Sequence, residues 1–255
     1  MLKKVFINMM FGEPFPWYDQ YVEACTRLAP YGWHWMIFTP CDVKGSENVH
    51  VVKMDLREFD QRVWNITGVD PKNFIDGNGP HKLTSDYYPL YGPIVADYIK
   101  GYDFWGHTNW DILYGRLDHY ATDEWLEQCD IWTDDPVETN GIFTLYRNTP
   151  KVNKLWQLLP EWPKWFSDHT LFYVDEIHFT KVVADLEARG KLRVGRPKDY
   201  IFHAYDRLSP HADKPMLEHK EDGTLYELYE DTRLHTLIGR EIMMYHFSMR
   251  KEWPL

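Results

Sequence analysis

Tyr102-Asp103-Phe104-Trp105-Gly106-His107-Thr108-Asn109-Trp110-Asp111-Ile112-Leu113-Tyr114-Gly115 is the stretch on which the fold and the chemistry both turn. Its aromatic opening, Tyr102 to Trp105, has the content of a buried strand. The run then breaks into the polar step Thr108-Asn109-Trp110-Asp111 and turns apolar again. A carboxylate placed where a buried strand surfaces can hold a divalent cation and, through it, a diphosphate. That arrangement suits an enzyme of nucleotide sugars. Asn109 and Asp111 are two residues apart, so on extended backbone both face one side, and at a tight turn both reach one ion. The same pair also serves, in many loops, as local turn hydrogen-bonders.

Working outward, the flanking segments have the rhythm of an α/β fold. Lys4 to Met10 is a short apolar run that stops at Phe11-Gly12-Glu13-Pro14. Trp17 to Leu28 has helical spacing, and Trp33 to Thr39 and Val49 to Met54 are strands. Strand, helix, strand so close together begins a βαβ unit and predicts a mostly parallel, Rossmann-like sheet flanked by helices. Leu56 to Ile66, Ser85 to Lys100, Thr149 to Leu159 and Asp175 to Ala188 are expected helices. Ile131 to Thr133 and Gly141 to Tyr146 are expected strands. Beyond Gly190 the pattern loosens into strands at Tyr200 to Tyr205, Leu225 to Tyr229 and Glu241 to Ser248, with a hairpin signal at Asp222-Gly223. No linker divides the chain, so one domain over 1–255 is expected, with an irregular C-terminal half.

Composition excludes several classes. The chain has 255 residues, enough for a large core, and 28 Lys plus Arg stand against 39 Asp plus Glu, a net charge of -11. This disfavours electrostatically driven nucleic-acid binding, although a local basic groove stays open. An acidic protein that takes a phosphate ligand needs a metal or a few placed cations. Three widely spaced cysteines without a CxxC pair point to a reducing cytoplasm and unpaired thiols. The N-terminal apolar run is too short for a signal peptide, and no run approaches a membrane span.

The far end supplies candidate partners for Asp111. Tyr245-His246-Phe247-Ser248-Met249-Arg250-Lys251-Glu252-Trp253-Pro254 places an imidazole at the end of an apolar strand and a cation five residues later. Together, the Asn109–Asp111 step and this tail resemble the nucleotide-sugar glycosyltransferases of the GT-A fold, in which a DxD motif and a late His share Mn²⁺ and a Lys in the tail contacts the diphosphate. The spacing is one residue shorter here, Glu252 stands where Pro is usual, and Asn109 replaces the first Asp. The run from Lys82-Leu83-Thr84-Ser85-Asp86-Tyr87-Tyr88-Pro89-Leu90-Tyr91-Gly92 through Gly115, with Phe143 to Thr149 and Asp175-Glu176, is similar to an uncharacterised bacterial family found among polysaccharide-biosynthesis proteins.

The resemblance implies a role for each matching residue. Phe11 and Gly12 would lie against the nucleotide base, with Thr39 and Asp42 lining its pocket, all at carboxyl ends of strands where open α/β sheets bind ligands. Lys82 and Asp86 would face the diphosphate and donor sugar, and Asn109 a ribose hydroxyl. Asp111 and His246 would bind Mn²⁺ or Mg²⁺, and Lys251 would steady the leaving diphosphate. Asp175 or Glu176 is the candidate general base, if the transfer inverts; both also suit the first turn of a helix, where acidic side chains are common. The implied reaction moves a hexosyl group from a UDP-sugar to a glycan or lipid-linked acceptor. Two alternatives remain: a phage-type transferase acting on hydroxymethylated DNA, and a non-catalytic nucleotide- or sugar-binding protein. Of the remaining histidines, His107 stands next to the polar step; the aromatic cluster Trp162, Trp165, Phe166 and Tyr173 is expected to be packing or an acceptor platform.

Overall fold

The computed structural model describes residues 1–71, 85–139, 141–167, 172–197, 203–205, 216–231 and 236–247. Seven strands form the central sheet: β1 (Lys4–Met9), β2 (Trp33–Thr39), β3 (Val49–Lys53), β4 (Phe104–Thr108), β6 (Ile131–Thr133), β7 (Phe143–Arg147) and β8 (Val194–Gly195). Their order is β3-β2-β1-β4-β7-β6-β8. The pairs β1–β2, β2–β3, β1–β4 and β6–β8 are parallel, and β7 runs antiparallel to both neighbours. Six strands therefore point one way, and the sheet is the mostly parallel α/β sheet that the βαβ spacing predicts.

Alternation within each strand explains why both faces are covered. Along β1 and β2, Val5, Ile7, Met36 and Phe38 enter one apolar cluster, while Phe6, Trp33, Trp35 and Ile37 enter the other. A strand buried on both faces needs near-continuous apolar sequence, which these strands have. Helix α1 (Tyr18–Thr26) covers the second face, and α2 (Leu56–Thr67) with α3 (Thr180–Ala188) covers the first. Asp55 caps α2 by accepting the Glu58 N–H at 2.8 Å. No helix among the described residues is long and apolar enough to cross a membrane.

Several elements differ from the sequence expectation. The segment from Ser85 to Lys100 is not one helix: Tyr88–Leu90 is a 3₁₀ turn and Tyr91–Ile94 a single α-turn. Pro89 and Pro93 each lack an N–H, so the i→i−4 ladder is not sustained. Gly92 there lies against Trp105; a β-carbon on it would sit 2.1 Å from the indole. Thr149 to Leu159 yields a 3₁₀ stretch, Val152–Leu158. Asp175 to Ala188 opens as a π-turn, Val174–Phe179, before α3 begins. The strand expected over Tyr102 to Trp105 is shifted to Phe104–Thr108, so the polar step starts inside the sheet.

The C-terminal part builds two small sheets. β10 (Met216–His219), β11 (Leu225–Asp231) and β12 (Thr236–Ile242) form an antiparallel meander. Its first hairpin turns at Asp222-Gly223, where Lys220 N–H donates to Thr224 C=O at 2.9 Å. The expected strand Glu241 to Ser248 is split: its first residues end β12, and β13 (Met244–His246) turns away to pair with β5 (Ile112–Tyr114) and β9 (His203–Tyr205). That turn matters most for the site.

Candidate functional site

The carboxyl ends of β1, β2, β4 and β6 share one edge of the sheet, and antiparallel β7 begins there. Asn8 ties two of these ends together, its Nδ2 donating to the Thr108 carbonyl at 3.1 Å. After Thr108 the chain leaves the sheet through Asn109-Trp110-Asp111 and enters β5. β13 lies antiparallel on β5 with His246 opposite Ile112, and Phe247 N–H donates to the Asp111 carbonyl at 2.9 Å. This register brings His246 Nε2 to 3.1 Å from Asp111 Oδ1, across 135 residues of sequence. The imidazole is buried, whereas the Asp111 side chain is 27% exposed and so reachable from solvent.

Asp111 and His246 are the residues that would hold a cation here. Ligands of an octahedral Mg²⁺ or Mn²⁺ stand about 2.1 Å from the metal, so neighbouring ligands are about 3.0 Å apart. At 3.1 Å the imidazole and the carboxylate are within hydrogen-bonding distance of each other, so a cation held by both would replace that bond. No group of three or more His, Cys, Asp or Glu able to hold a metal occurs among the described residues. The remaining positions would fall to oxygens of substrate and water, as is common for Mg²⁺.

Asn109 stands beside the pair, and its Oδ1 accepts the Tyr88 hydroxyl at 3.3 Å. The Tyr88 ring stacks on buried His107 with centroids 4.1 Å apart, so His107 serves packing. Burial pushes the Tyr88 phenol well up, followed by Tyr91 and by the charges of Asp175, Asp111 and Glu176. Tyr88 therefore feels charge from both the Asp111 step and a second acidic group, Asp175-Glu176. Nothing in sequence spacing singled out Tyr88; its signal was only its place in the Lys82–Gly92 run.

Asp175 and Glu176 lie in the π-turn, held from the β6–β7 connection. Thr139 Oγ1 donates to the Asp175 carbonyl at 2.7 Å, and Thr139 N–H donates to Thr180 Oγ1 at 2.9 Å. The Gly141 N–H donates to the Glu176 carboxylate. Asp175 is buried, and burial, then the Glu176 charge, pushes its carboxyl well above the usual range. Glu176 is partly exposed and is raised by burial first and then by the charges of Glu138 and Asp135. In sequence Gly141 opens the expected strand Gly141 to Tyr146 and, with Asn140, reads equally as a sugar contact or a turn; Asp135 and Glu138 are not singled out by spacing. Trp165 and Phe166 are core residues, with Trp165 stacked on His178 at 4.1 Å, so that cluster is packing; Tyr173 alone stands half exposed.

The implied donor-binding residues fare unevenly. Phe11 rests on Phe59 of α2, with ring centroids 5.4 Å apart, and the Gly12 carbonyl accepts Cys41 Sγ at 3.4 Å. The loops after β1 and β2 are thus adjacent. Thr39 is fully buried and its hydroxyl accepts the Cys41 N–H at 3.1 Å, which makes it a turn-former and not a pocket wall. Asp42 is exposed, is paired with Lys53 at 2.5 Å, and lines a cleft of about 310 Å³ with Pro14, Phe15, Tyr18 and Lys44. Asp86 does not present its carboxylate to a donor: it is buried and both oxygens accept backbone N–H groups of the Phe172–Val174 segment. Burial raises its carboxyl to about 6 despite those donors. Lys82 and Lys251 lie outside the described residues.

The chain belongs to a family of unknown function, DUF6625, whose model matches residues 6–253. No curated protein matches it. Among solved structures, a glycosyltransferase involved in the glycosylation of the major capsid of PBCV-1 aligns over 98% of this chain and 95% of its own, at 8% identity and a TM-score of 0.47. The galactosyltransferase LgtC, in complex with donor and acceptor sugar analogues, aligns over 97% and 87%, at 11% identity and a TM-score of 0.44. Likeness at this level fixes no activity.

Proposed function

We propose that this protein is a glycosyltransferase that moves a hexosyl group from a nucleoside diphosphate sugar, a UDP-sugar, to an acceptor hydroxyl, with Mn²⁺ or Mg²⁺ held by Asp111 and His246. The observation that carries the reading is the 3.1 Å approach of His246 Nε2 to Asp111 Oδ1 at the carboxyl edge of a mostly parallel sheet. A bound divalent cation there would neutralise charge that builds on the leaving diphosphate. Asp111 and His246 hold the cation, and Asn109 lies beside them toward the ribose. Glu176, the more exposed of the two raised carboxyls, accepts the proton of the acceptor hydroxyl, and burial with the charges of Glu138 and Asp135 keeps it raised. Phe11 and Gly12 lie at the base end, and Lys82 and Lys251 serve the diphosphate.

The acceptor in this reading is a glycan or a lipid-linked oligosaccharide. Asp135 and Glu138 beside Glu176 make a poor groove for a DNA backbone, which counts against the hydroxymethylated-DNA alternative. One feature favours a second reading, a binding protein without turnover: Asn109 brings no charge to the step and its Oδ1 already accepts from Tyr88.

A thermal-shift series tests the proposal. UDP with Mn²⁺ should raise the melting temperature, and Asp111→Ala and His246→Ala should each abolish the rise. No rise with any nucleoside diphosphate sinks the transferase reading. A screen of nucleotide sugars then separates turnover from binding: slow donor hydrolysis lost in Asp111→Ala supports the enzyme, and a shift without hydrolysis of any donor supports the binding protein.

A further inference from the structure

Asp86 and Tyr173 form a device that the resemblance does not imply. Asp86 Oδ2 accepts the Phe172 N–H at 2.9 Å and Oδ1 accepts the Val174 N–H at 3.0 Å. Burial is the largest influence on this carboxyl and raises it, while the amides of Phe172, Val174 and Tyr173 act against it. Two amides, one on each side of Tyr173, converge on one anion as in a nest, a shape that backbone adopts when a left-handed residue interrupts it. Tyr173 is that residue, at φ 51 and ψ 49, and it is the only non-glycine with positive φ among the described residues. A side chain with a β-carbon disfavours this conformation, so something must hold it there. Charge-assisted bonds from amide to carboxylate are strong enough to do so.

The turn beyond Tyr173 gives the device its purpose. The π-turn Val174–Phe179 starts at the next residue and carries Asp175 and Glu176. Ile177 N–H donates to the Tyr173 carbonyl at 2.9 Å, so the first bond of the turn hangs on the left-handed residue. Rotating Tyr173 out of that conformation redirects the whole turn. It also moves the Tyr173 ring, which stands half exposed next to the turn.

We infer that Asp86 is a positioning residue: its carboxylate locks Tyr173 in the left-handed conformation and thereby aims the turn that carries Asp175 and Glu176. It touches neither donor nor acceptor. The inference rests on the proposed transfer only for its kinetic readout; the structural readout stands without it.

The test uses the full chain with Asp86→Asn, Tyr173→Gly and the two combined. An asparagine keeps one acceptor oxygen and turns an NH₂ toward an amide N–H, so the nest loses a partner. Hydrogen exchange at the amides of 172–174 should speed up at least about tenfold in Asp86→Asn. Donor-hydrolysis kcat should fall at least about tenfold, with donor KM within about twofold of wild type. Tyr173→Gly should restore kcat in the Asp86→Asn background, because glycine adopts the left-handed conformation unaided. Unchanged exchange at 172–174 overturns the inference, as does a raised donor KM at unchanged kcat, which would place Asp86 on the donor. Asp86→Asn that fails to fold and is not rescued by Tyr173→Gly overturns it too. If no donor is hydrolysed by wild type, the proposed transfer fails while the exchange arm still decides the role of Asp86.

Discussion

Gly141→Ala is the sharpest test of the acidic pair. Gly141 donates its N–H to Glu176, and it faces both carboxylates. A β-carbon there would lie 2.6 Å from Glu176 Oε1 and 2.7 Å from Asp175 Oδ2, where ordinary contact begins at 3.4 Å. Each oxygen is therefore about 0.7–0.8 Å too close for the substitution. Glu176 can swing away toward solvent, but Asp175 is buried and its carbonyl is tied to Thr139, so the pair separates or the turn tips. Misplacing a catalytic group by about 1 Å costs on the order of 100-fold in rate. Stability should move by under about 2 kcal/mol, since the entropy gained by replacing glycine offsets part of the steric cost. Donor hydrolysis should fall about 100-fold, whereas the melting shift with UDP and Mn²⁺ should persist, because Asp111 and His246 sit on the β4–β5 connection and on β13. Wild-type turnover in Gly141→Ala refutes the assignment of the base to this pair.

Other perturbations test separate parts of the argument. The acid limb of kcat/KM should lie above the ordinary carboxyl value of about 4.3, because a base must be ionised and burial raises both Asp175 and Glu176. Activity then drops as pH falls through the raised value; Glu176→Gln should remove that limb, and a limb near about 4 contradicts the burial argument. Gly92→Ala puts a carbon 2.1 Å from the Trp105 indole in the core and should cost at least about 2–3 kcal/mol in urea denaturation; a loss under about 0.5 kcal/mol would mean that the indole yields freely. Lys4 is buried in β1, with Nζ 2.8 Å from Asp123 Oδ1 and 4.9 Å from the Trp33 ring centre. Burial pushes Asp123 up, but the Lys4 bond and the Leu2 N–H outweigh it and hold the carboxyl below its usual value. Its contribution is present above about pH 3.9 and lost as pH falls through the depressed value. Lys4→Met should cost about 1–3 kcal/mol at pH 7 and much less at pH 2, and a pH-independent loss would assign the effect to packing.

The central strands were legible because two-sided burial writes itself into consecutive residues. Trp33–Thr39 and Ile131–Thr133 match expectation to the residue, since each is a compact apolar run with a clear stop. The segment Ser85 to Lys100 was not legible in the same way. Its apolar spacing is helical, but spacing does not register that Pro89 and Pro93 lack donors. The site divides along the same line. Asp111 announces itself locally by surfacing after an aromatic run, yet its partner His246 depends on a register between β5 and β13 that no local pattern contains. Asp86 was visible as a carboxylate in a motif, but its commitment to the amides of Phe172 and Val174 is a property of the folded backbone.

The acidity of the chain bears directly on how a donor would bind. Asp111, Asp135, Glu138, Asp175 and Glu176 gather near one edge of a sheet in a chain of net charge -11, and the field there repels a diphosphate. Steering by net charge therefore cannot bring the donor in, and affinity has to come from a few placed positive charges. A divalent cation at Asp111 and His246 supplies the largest of them in the proposed reading. The donor should accordingly bind with strong metal dependence and weak dependence on monovalent salt. Measured by titration with UDP, removal of Mn²⁺ with a chelator should weaken binding at least about tenfold, whereas raising NaCl from about 50 to 200 mM should change it less than about threefold, because a close ion pair is screened far less than a long-range field. The reverse pattern, tight binding without metal that collapses in salt, would move the recognition of phosphate from Asp111 and His246 to lysines such as Lys82 and Lys251.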